Sequence, residues 1–217
     1  MTKWAVFDVD GTLLPGISME QLFIRYCMEN GLIPPMNFFH FALTAGKILL
    51  RGNIPDVIKM NKALMKDLPA DKVETAAEIC FDEMVKPLLS VQGGEVVNAY
   101  RQEGYKVLIM TGSPYFVAQH LIPVYQPDEL VGFHLEIAGD VYTGKGIGLH
   151  PYARRKKEVL LNLREKLDLR FEESAVFANH HTDVYHMELF GQAVAVNPTS
   201  KLRKIAEKHN WKITIWE

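Results

Sequence analysis

Two carboxylates, Asp8 and Asp10, follow an apolar run at residues 4–7 that we interpret as a buried parallel strand. Residues two apart point to the same side of an extended chain, so one carboxylate can attack phosphorus while the other transfers a proton. Gly11 lets the backbone turn sharply after the pair without steric cost. An Asp-Gly hairpin is the alternative interpretation, but no partner strand follows in the sequence.

A second polar cluster, Thr111-Gly112-Ser113-Pro114, follows the apolar run at residues 107–110. We predict that it forms a turn between a strand and a helix. Such a turn can offer the Thr111 hydroxyl and free backbone N–H groups to a phosphoryl oxygen. Taken by itself, an ordinary Ser/Thr helix cap is the commoner explanation for this pattern.

Lys156 stands at the head of an amphipathic pattern in which Leu160, Leu163 and Leu167 recur at helical spacing. A lysine in that place can point over the strand ends toward a phosphate. The basic run at residues 154–157 as a whole is better explained as a solvated helix face. We therefore expect one functional member, Lys156, with Lys157 as the alternative.

A third polar loop follows the predicted strand at residues 175–177. In it, Asn179 and Asp183 offer the hard oxygen ligands that suit Mg²⁺. His180 and His181 raise zinc as an alternative. Adjacent histidines do not share a helix face, and no cysteine or third histidine lies at ligand spacing, so zinc is disfavoured.

The elements that would position these residues alternate between helices and strands from residue 95 onward. Helices are predicted at 95–103, 154–167 and 200–209, strands at 107–110, 175–177, 193–196 and 213–215, and a hairpin at 131–136 and 141–143. This alternation predicts an α/β fold with a parallel sheet, right-handed crossovers and helices on both faces. Ligands in such sheets bind at the carboxyl ends of the strands, where the three polar clusters fall.

Residues 15 to about 90 have a different pattern, in which apolar residues recur at helical spacing between Gly and Pro punctuation. Helical stretches are predicted at 19–27, 38–50, 57–65 and 73–85, without a convincing strand. We expect the aromatic stretch at 38–41 to pack inside a helical bundle, and we expect no binding to liposomes. A helix lying in a membrane interface stays open as the alternative.

The chain has 217 residues, of which 48% are hydrophobic, which is enough for one large core and a smaller module. The formal net charge of −2 gives a nucleic-acid partner no support. Neither an apolar run of about 18 residues nor a signal-peptide pattern occurs. Cys27 and Cys80 lack metal or redox spacing, so we expect reduced core residues in a cytoplasmic protein.

In this order and spacing, the polar clusters resemble the haloacid dehalogenase-like superfamily, and within it the branch similar to phosphoserine phosphatase. Residues 8–12 match the first family motif, 111–113 the second, Lys156 the third and 179–183 the fourth, so the resemblance covers nearly the whole chain. It implies a Rossmann-like doubly wound core at 1–14 and 90–217, with a helical cap inserted at 15–89 after the first strand.

The resemblance also implies a magnesium-dependent phosphatase that hydrolyses a small phosphorylated metabolite. Asp8 would be the nucleophile that becomes an aspartyl phosphate, and Asp10 the general acid and base. The implied phosphate-binding groups are Thr111, Gly112 and Lys156. The implied magnesium site comprises Asp8, the Asp10 backbone carbonyl, Asn179 and Asp183, the last of these acting through water or on Lys156.

Asn179 departs from the family pattern, which has aspartate at this position. An amide oxygen can bind Mg²⁺ but contributes no charge, so we expect weaker metal binding. A lapsed domain that binds a phosphorylated ligand without turnover therefore stays open, as does a dehalogenase. Similar dehalogenases lack the second carboxylate, so Asp10 favours phosphate chemistry. The cap would set the substrate, and Glu20 is its one candidate contact, with a solvated helix face as the equal alternative.

Overall fold

The computed structural model describes residues 2–50 and 59–216. The strands are β1 (Trp4–Asp8), β2 (Lys106–Pro114), β3 (Glu129–Ala138), β4 (Val141–Ile147), β5 (Ala175–Ala178), β6 (Gln192–Val196) and β7 (Lys212–Thr214). The α-helices that lie wholly within the described ranges are α1 (Met19–Glu29), α2 (Pro35–Leu49), α3 (Ala70–Cys80), α4 (Val91–Gln102), α5 (Tyr115–Ala118), α6 (Ile122–Tyr125), α7 (Arg154–Leu163), α8 (Val184–Met187) and α9 (Ser200–Lys208). Short 3₁₀ turns lie at Ala63–Met65, Lys86–Leu88, Gln119–Leu121, Phe171–Glu173 and His181–Asp183, and a π-helical turn at Phe81–Val85.

The strands form one sheet in the order β4-β3-β2-β1-β5-β6-β7. Every neighbouring pair is parallel except β3 and β4, which form an antiparallel hairpin. The chain builds β2 to β4 on one side of β1 and then returns to build β5 to β7 on the other side. This confirms the predicted doubly wound α/β fold. The switch in direction leaves a crevice at the carboxyl ends of β1 and β5, where ligands bind in such sheets.

The central strand β1 is buried along its whole length, and its side chains alternate between two hydrophobic clusters. Phe7 and Ile109 belong to the cluster on one face of the sheet, and Val6 and Leu108 to the cluster on the other. Apolar residues are needed on both faces because helices cover both faces of a parallel sheet. The central strands therefore end at fixed positions beneath the crevice.

Residues 111–114 differ from the sequence-based prediction of a turn. The strand β2 continues through Pro114, which pairs with Phe133 of β3, and α5 begins only at Tyr115. The register with β3 shifts between Met110 and Pro114, and the backbone of this stretch stays extended. Extended backbone places Thr111 and Ser113 on the same side of the strand.

The segment between β1 and β2 carries helices and turns, and its described residues contain no β-strand. Part of the predicted helical stretch 57–65 lies outside the described residues. The segment leaves and rejoins the sheet at one place, because the Ser90 N–H donates to the Leu13 carbonyl at 2.9 Å. Treating residues 15–89 as a separate cap domain stays a prediction.

The prediction that the aromatic stretch at 38–41 packs inside a helical bundle is wrong for two of its residues. Phe38 and Phe39 are exposed on α2, whereas Phe41 packs partly against the core. The helix turns Asn37 inward instead. Periodicity shows which residues share a helix face, but the neighbouring elements decide which face is covered.

None of the helices within residues 2–50 and 59–216 is long and apolar enough to cross a membrane. Cys27 and Cys80 are buried and unpaired, as predicted. Burial raises the pKa of the Cys27 thiol to about 12 and that of Cys80 to about 11. Both thiols therefore act as apolar core groups.

Candidate active site

A cavity of about 470 Å³ opens at the carboxyl ends of β1 and β5. Its wall contains most of the residues predicted from the sequence, namely Asp8, Asp10, Gly112, Lys156, Asn179 and Asp183. Thr111, the remaining predicted site residue, is fully buried and is not part of the wall. The fold therefore brings four separate sequence segments together around one space.

Asp8 is the last residue of β1 and is almost completely buried. Its Oδ1 lies 2.7 Å from Nζ of Lys156, and its Oδ2 accepts a hydrogen bond from Oγ1 of Thr12 at 3.3 Å. Burial raises the pKa of Asp8 to about 7, opposed by the Lys156 ammonium and reinforced by the Asp183 and Asp10 carboxylates. This carboxyl group is shielded from bulk water and faces the Lys156 ammonium.

Lys156 lies in the first turn of α7 and places a buried ammonium between two carboxylates. Its Nζ lies 2.7 Å from Asp8 Oδ1 and 3.0 Å from Asp183 Oδ1. Burial opposes the charge, but the two carboxylates raise the pKa of Lys156 above its ordinary value, so the ammonium stays charged. Lys157 is half-buried and is not part of the cavity wall, so the geometry favours Lys156.

Asp183 is held at two points in the loop after β5. Its Oδ1 pairs with Lys156, and its Oδ2 accepts a hydrogen bond from the His180 N–H at 3.3 Å. Burial opposes ionisation, but Lys156 outweighs it, and the pKa of Asp183 is lowered overall. Asp183 is therefore an anion whose main contact is the lysine beside Asp8.

Asp10 is anchored by three hydrogen bonds that it accepts. The Met19 N–H, in the first turn of α1, donates to Oδ1 at 2.8 Å, and the hydroxyls of Thr111 and Ser113 donate to Oδ2 at 3.1 and 3.0 Å. The positive end of a helix dipole also favours a carboxylate. Sequence reasoning missed Ser113 as a partner, although its spacing of two from Thr111 was the available signal.

The Thr111 side chain contacts Asp10 and does not line the cavity. Its hydroxyl donates to Asp10 and accepts a hydrogen bond from the Ser113 N–H at 3.0 Å. Gly112 reaches the cavity wall itself, where a Cβ would lie 3.0 Å from Cε1 of His150 and 3.4 Å from the Pro151 carbonyl oxygen. Gly112 therefore lines the cavity, and Thr111 holds the Asp10 carboxylate by a hydrogen bond.

Gly11 allows the turn after Asp10 to touch the loop after β5. It has a φ of +87°, and a Cβ there would lie 1.9 Å from Nδ2 of Asn179. Any other residue would displace that amide as well as strain the backbone. The Asn179 side chain is thus held directly against the turn that carries Asp10, while its backbone carbonyl accepts from the Thr199 N–H at 2.9 Å.

The chemistry of the donors around the cavity fits Mg²⁺ better than zinc. Within the described ranges, no group of three or more His, Cys, Asp and Glu side chains is arranged to hold a metal ion. Nδ1 of His180 is hydrogen-bonded to the Thr182 hydroxyl at 2.8 Å. The oxygen-bearing side chains on the wall include the Asp8 carboxylate and the Asn179 amide, and Mg²⁺ takes few carboxylates together with neutral oxygens.

The cavity wall also contains residues that sequence reasoning did not identify, among them Gln21, Lys59, Tyr152 and Trp216. No local signal marked them, because three of the four lie far in sequence from the polar clusters. Lys59 Nζ lies 5.9 Å from the ring centroid of Tyr152. No residue of the described ranges forms a salt bridge with Lys59.

Glu20 does not reach the cavity wall. It forms a salt bridge with Lys62, whose side chain is buried, within the helical segment. The residue is therefore neither the substrate contact nor the solvated residue considered from the sequence. A buried pair of this kind fixes the position of α1 relative to the turn at Ala63–Met65, because separating the charges would leave one of them buried alone.

Comparison with known proteins gives a consistent result. A family model described as haloacid dehalogenase-like hydrolase matches residues 5–188. Phosphoserine phosphatase SerB1 of Mycobacterium tuberculosis is 26% identical over 220 residues, which cover 98% of this chain and 70% of that protein. Histidinol-phosphatase of Neisseria meningitidis serogroup C is 21% identical over 224 residues, which cover 98% of each chain.

Among solved structures, a protein of unknown function from Bordetella pertussis Tohama I superimposes with a TM-score of 0.83. The two chains are 20% identical, and the match covers 99% of each. At that identity, the likeness concerns the fold alone.

Proposed function

The chain belongs to the haloacid dehalogenase-like hydrolase family as a hydrolase of the phosphatase type, and from this premise we propose a magnesium-dependent phosphomonoesterase that acts through an aspartyl phosphate on Asp8. The observation that carries the proposal is the buried pair of Asp8 and Lys156 on the cavity wall, with Asp10 two residues away. We propose a cytoplasmic enzyme for a small phosphorylated metabolite.

In the first half-reaction, an Asp8 carboxylate oxygen attacks phosphorus and the bond from phosphorus to the ester oxygen breaks. Asp10 gives a proton to that leaving oxygen, so an alcohol departs and Asp8 holds the phosphoryl group as an acyl phosphate. Lys156, at 2.7 Å from Asp8, offsets the negative charge that gathers there. Asp183 keeps the ammonium in place through its own contact at 3.0 Å.

In the second half-reaction, water attacks phosphorus and gives a proton to Asp10. The bond between phosphorus and the Asp8 oxygen breaks, which restores the carboxylate and releases inorganic phosphate. Asp10 must therefore alternate between acid and carboxylate. The Ser113 hydroxyl suits both forms, because a hydroxyl can donate to a carboxylate and accept from a carboxylic acid.

We propose that Mg²⁺ is held by the Asp8 carboxylate, the Asp10 backbone carbonyl and Asn179, with Asp183 contributing through Lys156. When bound, the ion supplies electrostatic stabilisation of the transferring phosphoryl group. The contact between Gly11 and Asn179 supports this donor set, because it keeps the amide beside the turn that follows Asp8. Gly112 and the Thr111 hydroxyl are the proposed phosphoryl-oxygen donors, for which the hydroxyl must turn away from Asp10.

For the substrate, we propose an alcohol that carries a second anionic group. The acidic residues of the cavity wall are Asp8, Asp10 and Asp183, and each already has hydrogen-bond or ionic partners. Lys59 adds a cation to the wall. The two relatives described above are named for different alcohols, so their names alone do not choose between substrates.

The proposal is tested with a chromogenic phosphate monoester and purified protein, with and without Mg²⁺. We expect phosphate release that depends on the metal. If the native protein stays inactive at every Mg²⁺ concentration and the Asn179→Asp variant is active, the native chain is the lapsed domain considered above. Chloride release from a haloacid, without phosphate release from esters, would instead indicate the dehalogenase.

A further inference from the structure

On α2 the one buried residue is polar, while several large apolar residues are exposed. Its buried residue is Asn37, whose side-chain amide donates to the carbonyls of Leu64 and Lys66 at 2.9 and 2.8 Å. The Asn61 amide donates to the Phe41 carbonyl at 2.8 Å. These bonds fix which face of α2 points inward, so its outward face is a settled feature of the structure.

The outward face of α2 is a stripe of large apolar side chains. Met36, Phe39, Leu43 and Leu50 follow one another at spacings of three, four and seven residues, which places them along one side of a helix. They are 60%, 58%, 50% and 89% exposed. Isolated exposed apolar residues are ordinary, but a contiguous stripe on a helix indicates a contact surface.

The described part of α2 carries one lysine and no carboxylate. Lys47 is exposed on α2, and no aspartate or glutamate occurs anywhere from Asn30 to Pro55. An apolar helix face with an exposed lysine and no carboxylate on its own helix is complementary to a bilayer that contains anionic lipids. It would offer no charge partner to a basic surface.

A second copy of the chain fits this face less well. The 15 residues of α2 span about 22 Å, and a helix is about 10 Å wide, so the face covers roughly 200 Å². A stable protein interface buries about 800 Å² on each partner. A bilayer has no such threshold, because each inserted apolar side chain contributes separately.

We propose that α2 docks flat on the surface of an anionic bilayer, with Phe39 and Leu43 inserted at the boundary between headgroups and acyl chains. The expectation that the protein ignores liposomes depended on these aromatic side chains being packed inside a helical bundle. Their outward orientation removes that reason. The docking does not depend on the reaction proposed for the cavity.

The test is co-sedimentation of the full chain with vesicles of phosphatidylcholine alone and of phosphatidylcholine mixed with phosphatidylglycerol. We expect binding to the mixed vesicles and weaker binding to the neutral ones. The double variant Phe39→Glu with Leu43→Glu should lower the partition coefficient at least about a hundredfold. Lys47→Ala should lower it about fivefold on mixed vesicles. The matched control is Leu161→Glu, which alters an exposed leucine of α7 and should bind as the native chain does.

Circular dichroism and ester hydrolysis show whether each variant remains folded, since neither Phe39 nor Leu43 belongs to the cavity wall. If the double variant does not fold, the native chain and Lys47→Ala still decide the question. Native protein that stays in the supernatant with both vesicle types overturns the proposal, as does a folded double variant that sediments like the native chain. A native dimer that ignores vesicles and dissociates in the double variant would assign the face to a second copy.

Discussion

The ammonium of Lys156 lies 2.7 Å from Oδ1 of Asp8, and both side chains are more than nine-tenths buried. Lys156 also contacts Asp183 at 3.0 Å, so one buried cation serves two buried anions. This relationship makes the effect of a substitution at Asp8 easier to interpret. A neutral replacement still leaves the lysine paired with Asp183, so a loss of activity can be separated from a loss of fold.

The first prediction concerns Asp8→Asn, which should abolish turnover because an amide is not a useful nucleophile toward phosphorus. Beryllium fluoride, which mimics an acyl phosphate when bound to a carboxylate, should inhibit the native enzyme. Phosphate release is the measurement, with thermal unfolding as the control for folding. Substantial turnover by purified, folded Asp8→Asn would contradict the covalent mechanism.

The second prediction concerns Asp10→Asn, which should slow turnover by roughly a hundred- to ten-thousand-fold, the range of general acid–base catalysis. The loss should shrink for esters with good leaving groups, because these need less protonation as they depart. Rates are compared across a leaving-group series. An equal loss for every ester would mean that Asp10 acts only through its contacts to Met19, Thr111 and Ser113.

The third prediction concerns Asn179→Asp, which should tighten Mg²⁺ binding by replacing a neutral oxygen donor with an anionic one. Activity is titrated against Mg²⁺ concentration for both forms, and metal binding is measured directly by calorimetry. Asn162→Asp adds the same charge at an exposed position of α7 and serves as the control. Unchanged metal affinity in Asn179→Asp would remove this loop from the metal site.

The fourth prediction concerns Lys59, which lines the cavity. Lys59→Ala should raise KM about tenfold for esters whose alcohol carries a second anion, as expected when a hydrogen bond to a charged group is lost. Lys59→Arg should retain most of the affinity. A neutral chromogenic ester is the matched substrate, and its KM should change little. If both ester types lose affinity equally, Lys59 does not select an anionic alcohol.

The fifth prediction concerns stability in acid. Burial, reinforced by the charges of Lys62, Lys59 and Arg155, lowers the pKa of His150 to about 3. An unfolded chain binds a proton at this histidine from about pH 6.5 downward, so the folded state loses stability as the pH falls from about 6.5 toward 3. At pH 5 this loss is roughly 2 kcal/mol.

His150→Phe removes this protonation and places another ring beside Phe133, whose ring centroid lies 4.2 Å from that of His150. The free energy of unfolding in urea should therefore fall less between pH 7 and pH 5 in the variant than in the native chain. An identical fall in both proteins would show that other groups set the acid sensitivity.

Local sequence alone predicted the α/β sheet and the types of residue at its edge. Apolar runs such as residues 4–7 have one stable placement, which is inside a sheet covered on both faces, and polar residues that follow them must emerge at the carboxyl ends. At this edge the sequence predicts Asp8, Asp10, Asn179 and Asp183, and all four line the cavity.

Only the tertiary structure decided which groups touch. The pairing of Glu20 with Lys62 and that of Lys156 with Asp8 join residues 42 and 148 positions apart in the sequence. The turn expected at Thr111 became a longer strand because β3 lies beside it, which directed the hydroxyl to Asp10. The outward face of α2 depends on Asn37 finding two carbonyls on a distant turn. Periodicity and motif spacing describe a residue relative to its own element, whereas these contacts depend on how elements pack against each other.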